Sequence, residues 1–356
     1  MPMNTLGTRF FGVLLFGFML GMSEPTHRHA DHKAITGPEG GLRTTTVDDV
    51  RPNLDIKHEN WSYRFILDGG LQLFIDLRRA DLGTFKGKVL GADLSLVGFN
   101  GKDYAVSREY PPENLTFEEI NQRLSVHPEI WFEGRLPTTH KVHYATRKRG
   151  VSYYVDLTFS DIVPGCAWGD GLFHFGDHEV MGMSIPIPKA RVRGTVAVNG
   201  DTLEVSGTGY MDHVFQSDRL SHLVDAGFRV ISHDRRWEVG FFLQPTDRYD
   251  GSVVGYGAFD MGSGRSLYRP TEMAFPEMGQ VGGEDVPTRI VLDDADGRQR
   301  VLERDTNLQK LSMLREVGGI KKFIAKKIAG GDVIMFRGVG TIDHTRPMVY
   351  DFFVID

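Results

Sequence analysis

The sequence predicts an all-β protein made of two antiparallel β domains of similar size. Segments rich in strand-forming residues recur from Trp61 onward, and tight turn sequences separate them. The 42 glycines make up about 12% of the 356 residues, against a usual ~7%, which indicates many turns and bulges. No stretch alternates strands with helices as a parallel α/β fold does.

The predicted strands form hairpins in chain order. Asn100-Gly101 and Asn199-Gly200 are the clearest turns, because both residues tolerate the positive φ that a two-residue hairpin needs. The predicted pairs are 65–67 with 71–77, 94–99 with 104–107, 142–146 with 151–159, 191–198 with 202–206, 237–244 with 253–259, 289–292 with 300–302, and 333–340 with 348–355.

Two helices are also predicted. Residues 117–125 follow the capping residues Asn114 and Thr116 and carry two acidic residues in their first turn. Residues 306–329 form the longer helix, interrupted at Gly318-Gly319. Its second half separates apolar from lysine side chains, which fits either a helix packed across a barrel end or a membrane-surface contact through Ile320–Ile328.

The N-terminus predicts export. The apolar run from Phe10 to Met22 has 13 residues, within the 7–15 of a secretory signal and short of the about 20 of a membrane span. We therefore predict a signal peptide over 1–23 and a periplasmic or secreted protein. An uncleaved membrane anchor and an apolar tail packed on the domain are the alternatives.

The rest of the chain divides into a flexible linker and two domains. Residues 24–50 are polar and lack an apolar period, which predicts a linker. The domains are predicted over 51–187 and 188–356, with Ile185-Pro186-Ile187-Pro188 as a stiff connector between them.

Composition excludes several functions. Lys and Arg number 41 against 47 Asp and Glu, which gives a net charge of −6. The chain therefore lacks the surplus of basic residues that is typical of nucleic-acid-binding proteins. The single cysteine, Cys166, excludes a disulfide framework. No glycine-rich dinucleotide motif follows a strand, and neither the histidines of the linker nor the His174/His178 pair forms a convincing metal site. The sequence thus predicts no cofactor and no metal.

The densest polar segment runs from Gly207 to Ser217. On a strand, Tyr210 and Asp212 face one side and His213 faces the other. An aspartate in an apolar cavity has a raised pKa and can donate a proton. Alternatively, Asp212 and His213 satisfy buried backbone groups.

The same segment carries a family resemblance. Gly207-Thr208-Gly209-Tyr210-Met211-Asp212-His213 resembles the G-x-G-Y-x-D-H/S-x segment of the lipocalin-like carotenoid 1,2-hydratase and AttH superfamily. Svf1-type lipid-binding proteins and fungal lipocalin-like Diels–Alderases resemble it too. The 189–194 and 59–63 segments support a resemblance over about residues 55–356. It implies two tandem lipocalin-like antiparallel β-barrels with one or two short helices, and a ligand near their interface.

One departure from this family concerns the reaction. The hydratases carry His-x-Trp upstream, where this chain has Met183-Ser184-Ile185. A tryptophan there would stabilise a cationic intermediate by cation–π attraction. Its replacement favours binding, or a different reaction, over carotenoid hydration.

Two functions follow as expectations. The first is a carrier or storage protein for a large hydrophobic ligand, a lipid, isoprenoid or polyene. The residues predicted to bind this ligand are Trp168, Phe173, Met183, Phe215 and Trp237. The alternative is a cofactor-independent hydratase, isomerase or cyclase that protonates an alkene, with Asp212, Tyr210 and His213 as catalytic residues.

Overall fold

The protein is almost entirely β, as a computed structural model shows for residues 32–81, 87–312 and 332–355. The strands form two sheets, and neighbouring strands along the main path of each sheet are antiparallel. The predicted fold class is therefore confirmed. Among the described residues, no helix is long and apolar enough to cross a membrane.

The first sheet has 16 strands, ordered β6-β5-β4-β3-β15-β14-β11-β10-β9-β8-β7 along its main path, with shorter strands attached. Its strands are β1 Lys33–Thr36, β2 Leu42–Thr44, β3 His58–Leu67, β4 Gln72–Asp81, β5 Lys88–Phe99, β6 Lys102–Tyr110, β7 Thr116–Glu118, β8 Arg123–His127, β9 Ile130–Glu133, β10 His140–Lys148, β11 Val151–Ser160, β12 Cys166–Trp168, β13 Leu172–Phe175, β14 Glu179–Val198, β15 Asp201–Gln216 and β18 Tyr249–Asp250.

The second sheet has nine strands, ordered β20-β19-β17-β16-β25-β24-β23-β22-β21. Its strands are β16 Val224–Ser232, β17 Glu238–Pro245, β19 Val254–Asp260, β20 Arg265–Tyr268, β21 Pro270–Val281, β22 Glu284–Asp294, β23 Gln299–Ser312, β24 Val333–Ile342 and β25 Arg346–Ile355. The α-helix of the described residues, α1, spans Leu220–Leu223.

Three apolar cores explain how the sheets are arranged. The first sheet curls around one large core, to which side chains from β3 through β11 contribute. One face of the second sheet encloses a smaller core. A third core lies between the sheets and joins β12–β15 to β16, β17 and β19. Both sheets belong to one compact unit.

The predicted proline-rich connector lies within a strand. β14 runs through Ile185-Pro186-Ile187-Pro188, and its register against β15 shifts on both sides of Ile187. Proline has no N–H to donate, so these positions interrupt the ladder without ending the strand. The chain passes to the second sheet later, between Gln216 and Val224. The domain division at 187/188 stays a prediction.

Two predicted helices are corrected. Residues 117–125 form β7, a turn and the start of β8, because pairing of Phe117 with Leu124 buries the Leu124 side chain and outweighs the helix-start signals. Residues 306–312 continue β23 and pair with β24. The remainder of that predicted helix, with Ile320–Ile328, lies outside the described residues.

The predicted linker is corrected in part. Residues 1–31, with the predicted signal peptide, lie outside the described residues. From Lys33 onward the chain is ordered: β1 pairs with β13 and β18, and β2 pairs with β12. Arg43 also binds Asp49 through two hydrogen bonds of 2.6 and 2.7 Å.

Candidate functional site

Asp212 is fully buried, but a cation contacts it directly. Arg229, on the neighbouring sheet, donates to both carboxylate oxygens, with Nη2 to Oδ1 at 3.0 Å. An aspartate that donates a proton is expected in an apolar cavity, whereas Asp212 is paired with an arginine. Both carboxylate oxygens are engaged by Arg229, which leaves Asp212 in an ion pair between the sheets.

Asp212 and Arg229 belong to a buried cluster that joins the two sheets. Asp351 on β25 lies 3.1 Å from Arg229 Nη1 and 2.5 Å from Arg64 Nε on β3. Arg64 also reaches Asp76 at 2.9 Å, and Arg337 on β24 reaches Asp76 at 3.3 Å. The charged members of this cluster are Arg64, Asp76, Asp212, Arg229, Arg337 and Asp351.

The cluster is electrically balanced, with three arginines and three aspartates. Burial alone would raise the pKa of Asp76, but Arg64 and Arg337 hold it below its usual value. Burial lowers the pKa of Arg337 to about 10, which still leaves it charged at neutral pH. Such a network ties the two packed sheets together through buried ion pairs.

Tyr210 lies in the core between the sheets. Its side chain is fully buried, and its hydroxyl has no hydrogen bond of good geometry to a described residue. Burial raises the pKa of Tyr210 well above its usual value, and the Asp212 charge adds to the rise. Tyr210 is therefore a neutral phenol packed on the charged cluster.

His213 faces the other side of β15, as strand alternation predicts. Its Nδ1 lies 2.8 Å from the Asp49 carbonyl and its Nε2 lies 2.9 Å from Glu59. Its ring stacks on Trp61 with centroids 4.9 Å apart. These contacts connect the 47–49 turn to the sheet, so His213 has a structural role.

The residues predicted to bind ligand fill space. Phe173, Met183 and Trp237 are buried in the core between the sheets, and Trp168 packs against that core, edge-on to Phe173. Phe215 covers Gly182, which has no room for a Cβ beneath the Phe215 ring. Four of the five predicted residues therefore lie close together, packed in or against the core between the sheets. They are Trp168, Phe173, Met183 and Trp237.

A small cleft opens elsewhere, on the face of the second sheet that carries its apolar core. About 20 Å³ of it is open to a water-sized molecule, and the 320 Å³ of empty space around its walls includes open solvent. Nine residues from β16, β22, β23 and β25 line it. They are Phe228, Pro287, Thr288, Ile290, Leu302, Arg304, Met348, Tyr350 and Phe352. Arg304 is the charged member of this set, and no carboxylate belongs to it.

Two glycines of β24 allow the cleft wall to form. A Cβ on Gly338 would lie 2.4 Å from the Tyr350 hydroxyl, and one on Gly340 would lie 3.0 Å from the end of Met348. Both side chains therefore lie flat across β24. The register of β23 also shifts next to Arg304, a bulge of the kind that redirects side chains beside binding sites.

Tyr350 and Arg304 form the polar end of the cleft. Tyr350 is 6% exposed, and the Arg304 guanidinium lies beside its hydroxyl as the nearest polar side chain that acts on it. Burial raises the pKa of Tyr350, although the nearby Arg304 guanidinium offsets part of that rise. Among the described residues, Arg304 forms no ion pair. The cleft thus presents a cation and a neutral hydroxyl above apolar walls.

Sequence reasoning missed the cleft, although a signal existed. Met348, Tyr350 and Phe352 alternate along one strand, and Leu302 and Arg304 alternate along another. Alternation along each strand places these side chains on one face of the sheet, so they were candidates for one shared lining. Within the described part of the chain, no group of three His, Cys, Asp or Glu side chains is arranged to hold a metal ion.

The fold is shared with known structures. No protein-family model matches the sequence, and no curated protein sequence matches it significantly. An AttH candidate from Nitrosomonas europaea is similar over 90% of this chain and 99% of its own, with a TM-score of 0.62 and 13% identity.

Two further structures are similar. Kievitone hydratase from Nectria haematococca matches 91% of this chain and 98% of its own, with a TM-score of 0.52 and 12% identity. CghA with Sch210972 matches 85% and 89%, with a TM-score of 0.55 and 12% identity. At these identities the likeness establishes the fold: the chain has the lipocalin-like fold of AttH-type proteins, as the resemblance implied.

Proposed function

We propose that the protein binds a hydrophobic small molecule in the cleft of its second sheet and acts as a carrier or storage protein. The observation that carries this proposal is the apolar cleft with one polar end, formed by Arg304 and Tyr350. Ligand pockets typically combine predominantly apolar walls with a few placed polar groups.

The cleft volume revises the ligand expected from the sequence. About 20 Å³ is open to a water-sized molecule, far below the roughly 300–1,000 Å³ typical of ligand pockets. A ligand can therefore enter only if the lining side chains move apart, which favours a compact molecule over a long polyene. We propose a lipid or isoprenoid of modest size.

The catalytic alternative receives less support. Kievitone hydratase shares the fold, which makes a hydration reaction conceivable for this chain. The acid predicted for such a reaction is Asp212, and Arg229 engages both of its carboxylate oxygens. The geometry therefore favours binding.

We also propose that the protein is exported. The 13-residue apolar run of 10–22 supports removal of residues 1–23, and the apolar and lysine residues of 320–328 support contact with a membrane surface. Intact-mass measurement on the protein from its native cell tests the first point. A chain starting at residue 1 or 2 in a cytoplasmic fraction would contradict export.

Organic extraction tests the binding proposal. Thr288 is half-buried at the cleft wall, so Thr288→Trp fills the cleft from a position where the extra ring does not displace the core. Wild-type protein from its native host should release a hydrophobic compound in near-stoichiometric amount, identified by mass spectrometry. The Thr288→Trp protein should release little.

The matched control is Thr158→Trp, on the exposed face of β11 in the first sheet. This variant should retain the compound at the wild-type level. Equal retention by all three proteins would place the ligand outside the cleft, and no compound from any of them would argue against a carrier.

A further inference from the structure

A histidine at the end of β16 joins the second sheet to the first. His233 directly follows the last residue of this strand, and both of its ring nitrogens contact residues of the first sheet. Its Nε2 atom lies 2.8 Å from the Pro188 carbonyl oxygen of β14. Its Nδ1 atom lies 2.9 Å from the Thr208 hydroxyl of β15. One imidazole therefore bridges three strands of two sheets.

A bulge in β14 brings a second group to the same turn. The register of β14 against β15 places Pro188 and Lys189 opposite Tyr210 alone, and such a bulge redirects the groups of a strand. The Lys189 ammonium donates to the carbonyl oxygens of His233 and Asp234, each at 3.0 Å. Two successive residues of β14 therefore hold the turn that follows β16. We call this group the His233 clasp, formed by Pro188, Lys189, Thr208 and His233.

The clasp requires a neutral imidazole. A carbonyl oxygen can only accept, so Nε2 carries the proton that Pro188 accepts, and Nδ1 is left to accept from the Thr208 hydroxyl. A second proton on the ring would make Nδ1 a donor, and the Thr208 hydroxyl could no longer donate to it. Burial lowers the pKa of His233 to about 4; the hydrogen bond to Pro188 opposes this fall, and the Lys189 charge adds to it.

The charges around the clasp disfavour a protonated ring. Lys189 is the charged group that acts on the imidazole, while Asp234 and Asp260 attract the Lys189 ammonium and Arg191 repels it. Among the described residues, no carboxylate contacts the ring of His233. Acidification therefore places a second cation next to Lys189 without a counterion of its own.

The turn held by the clasp adjoins the core between the sheets. Trp237 is the first residue after the turn of 233–236, and it is 5% exposed as a member of that core. Four residues before His233, Arg229 of β16 is paired with Asp212. This ion pair holds the middle of β16 on the first sheet independently of the clasp, so loss of the clasp frees the end of the strand and its turn.

We propose that the His233 clasp is an acid-sensitive contact: protonation of the imidazole releases the turn of 233–236 from β14 and β15 and opens the core between the sheets beside Trp237. This inference goes beyond ligand binding in the cleft, because the clasp contains none of the cleft's lining residues. The stabilisation by the neutral ring is complete above about pH 6.5, the ordinary pKa of histidine, and is lost as the pH falls toward 4.

Hydrogen–deuterium exchange of the full chain at pH 7 and pH 5, followed by mass spectrometry, tests the proposal. Each rate is divided by the rate of an unstructured chain at the same pH. A ring that titrates near 6.5 when released and near 4 when bound makes opening about 20-fold more frequent at pH 5 than at pH 7. Peptides from 228–238 should show this increase, whereas peptides from 284–294, in β22 of the same sheet, should not.

Two variants identify the titrating group. His233→Gln keeps an amide that can donate to Pro188 and accept from Thr208, but it does not titrate, so its 228–238 peptides should exchange nearly equally at both pH values. The matched control is His174→Gln, which removes an exposed histidine of β13 and should keep the increase of about 20-fold. Circular dichroism at both pH values confirms that each protein is folded.

Three results would overturn the proposal. The first is a wild-type protein whose 228–238 peptides exchange equally at pH 7 and pH 5, a result that needs no variant. The second is an equal increase in the 284–294 peptides, which would show that acid loosens the whole sheet. The third is an increase that persists in His233→Gln, which would assign the proton to another group.

Discussion

Replacing Asp212 by asparagine tests the structural role of the buried charged cluster. Asp212 is fully buried and accepts two hydrogen bonds from Arg229. The substitution leaves three arginines against two aspartates. Removing one partner of a buried pair costs about 3–5 kcal/mol. The lower end applies, about 3 kcal/mol, because Arg229 keeps Asp351 at 3.1 Å and the asparagine oxygen still accepts one N–H.

Urea unfolding at 25 °C, followed by tryptophan fluorescence, measures this loss. Asp161→Asn is the matched control, because Asp161 pairs with Arg191 at the surface and both side chains are about 70% exposed. The control should lose less than about 0.5 kcal/mol. An Asp212→Asn protein as stable as the control would refute the structural role of the cluster.

A double variant sharpens the argument. Asp212→Leu with Arg229→Met removes one charge of each sign, so two arginines and two aspartates remain. We expect the double variant to be more stable than either single variant, because no buried charge is left uncompensated. Additive losses would show that the charges are not coupled.

Two further predictions concern other buried groups. The Nε2 atom of His140 lies 2.8 Å from the Tyr63 hydroxyl, within hydrogen-bond distance. Burial lowers the pKa of His140 to about 3. The unfolded chain therefore binds a proton near pH 6.5 that the folded protein excludes, so His140 makes stability fall as the pH drops from about 6.5 toward 3. His140→Phe should flatten that fall by up to about 1.4 kcal/mol per pH unit in urea unfolding at pH 5 and 6, and an unchanged slope would contradict this reading. A Cβ on Gly338 would lie 2.2 Å from the Thr306 carbonyl oxygen and 2.4 Å from the Tyr350 hydroxyl, so Gly338→Ala should lower stability by about 1–3 kcal/mol in urea unfolding. Gly41→Ala, in open space, should leave stability nearly unchanged, and equal losses in the two variants would argue against this packing.

The sequence predicts the hairpins well because their turns are local. Asn100 and Asn199 adopt φ values of 49° and 53°, and the glycines after them are also positive. Such turns depend on two residues and need no tertiary contact. The false helix at 117–125 shows the opposite case, because its capping and acidic signals are real but pairing of Phe117 with Leu124 overrides them.

The site was harder to predict because its partners are far apart in sequence. Asp212 stands out as a polar residue in a buried strand, but the sequence does not show that Arg229 crosses from the next sheet to bind it. The cleft likewise joins Phe228, Arg304 and Tyr350, which only strand register brings together. Period-2 patterns give the face of one strand, whereas a pocket depends on how several strands align.

The most direct test of the ligand-binding cleft is a crystal structure with 10-bromodecanoate, with anomalous data collected at the bromine absorption edge. We predict one strong anomalous peak at the cleft, against Phe228, Met348 and Phe352. A bromine peak in the core between the two sheets, beside Tyr210 and Asp212, would contradict the account and return the binding site to the interface between the sheets.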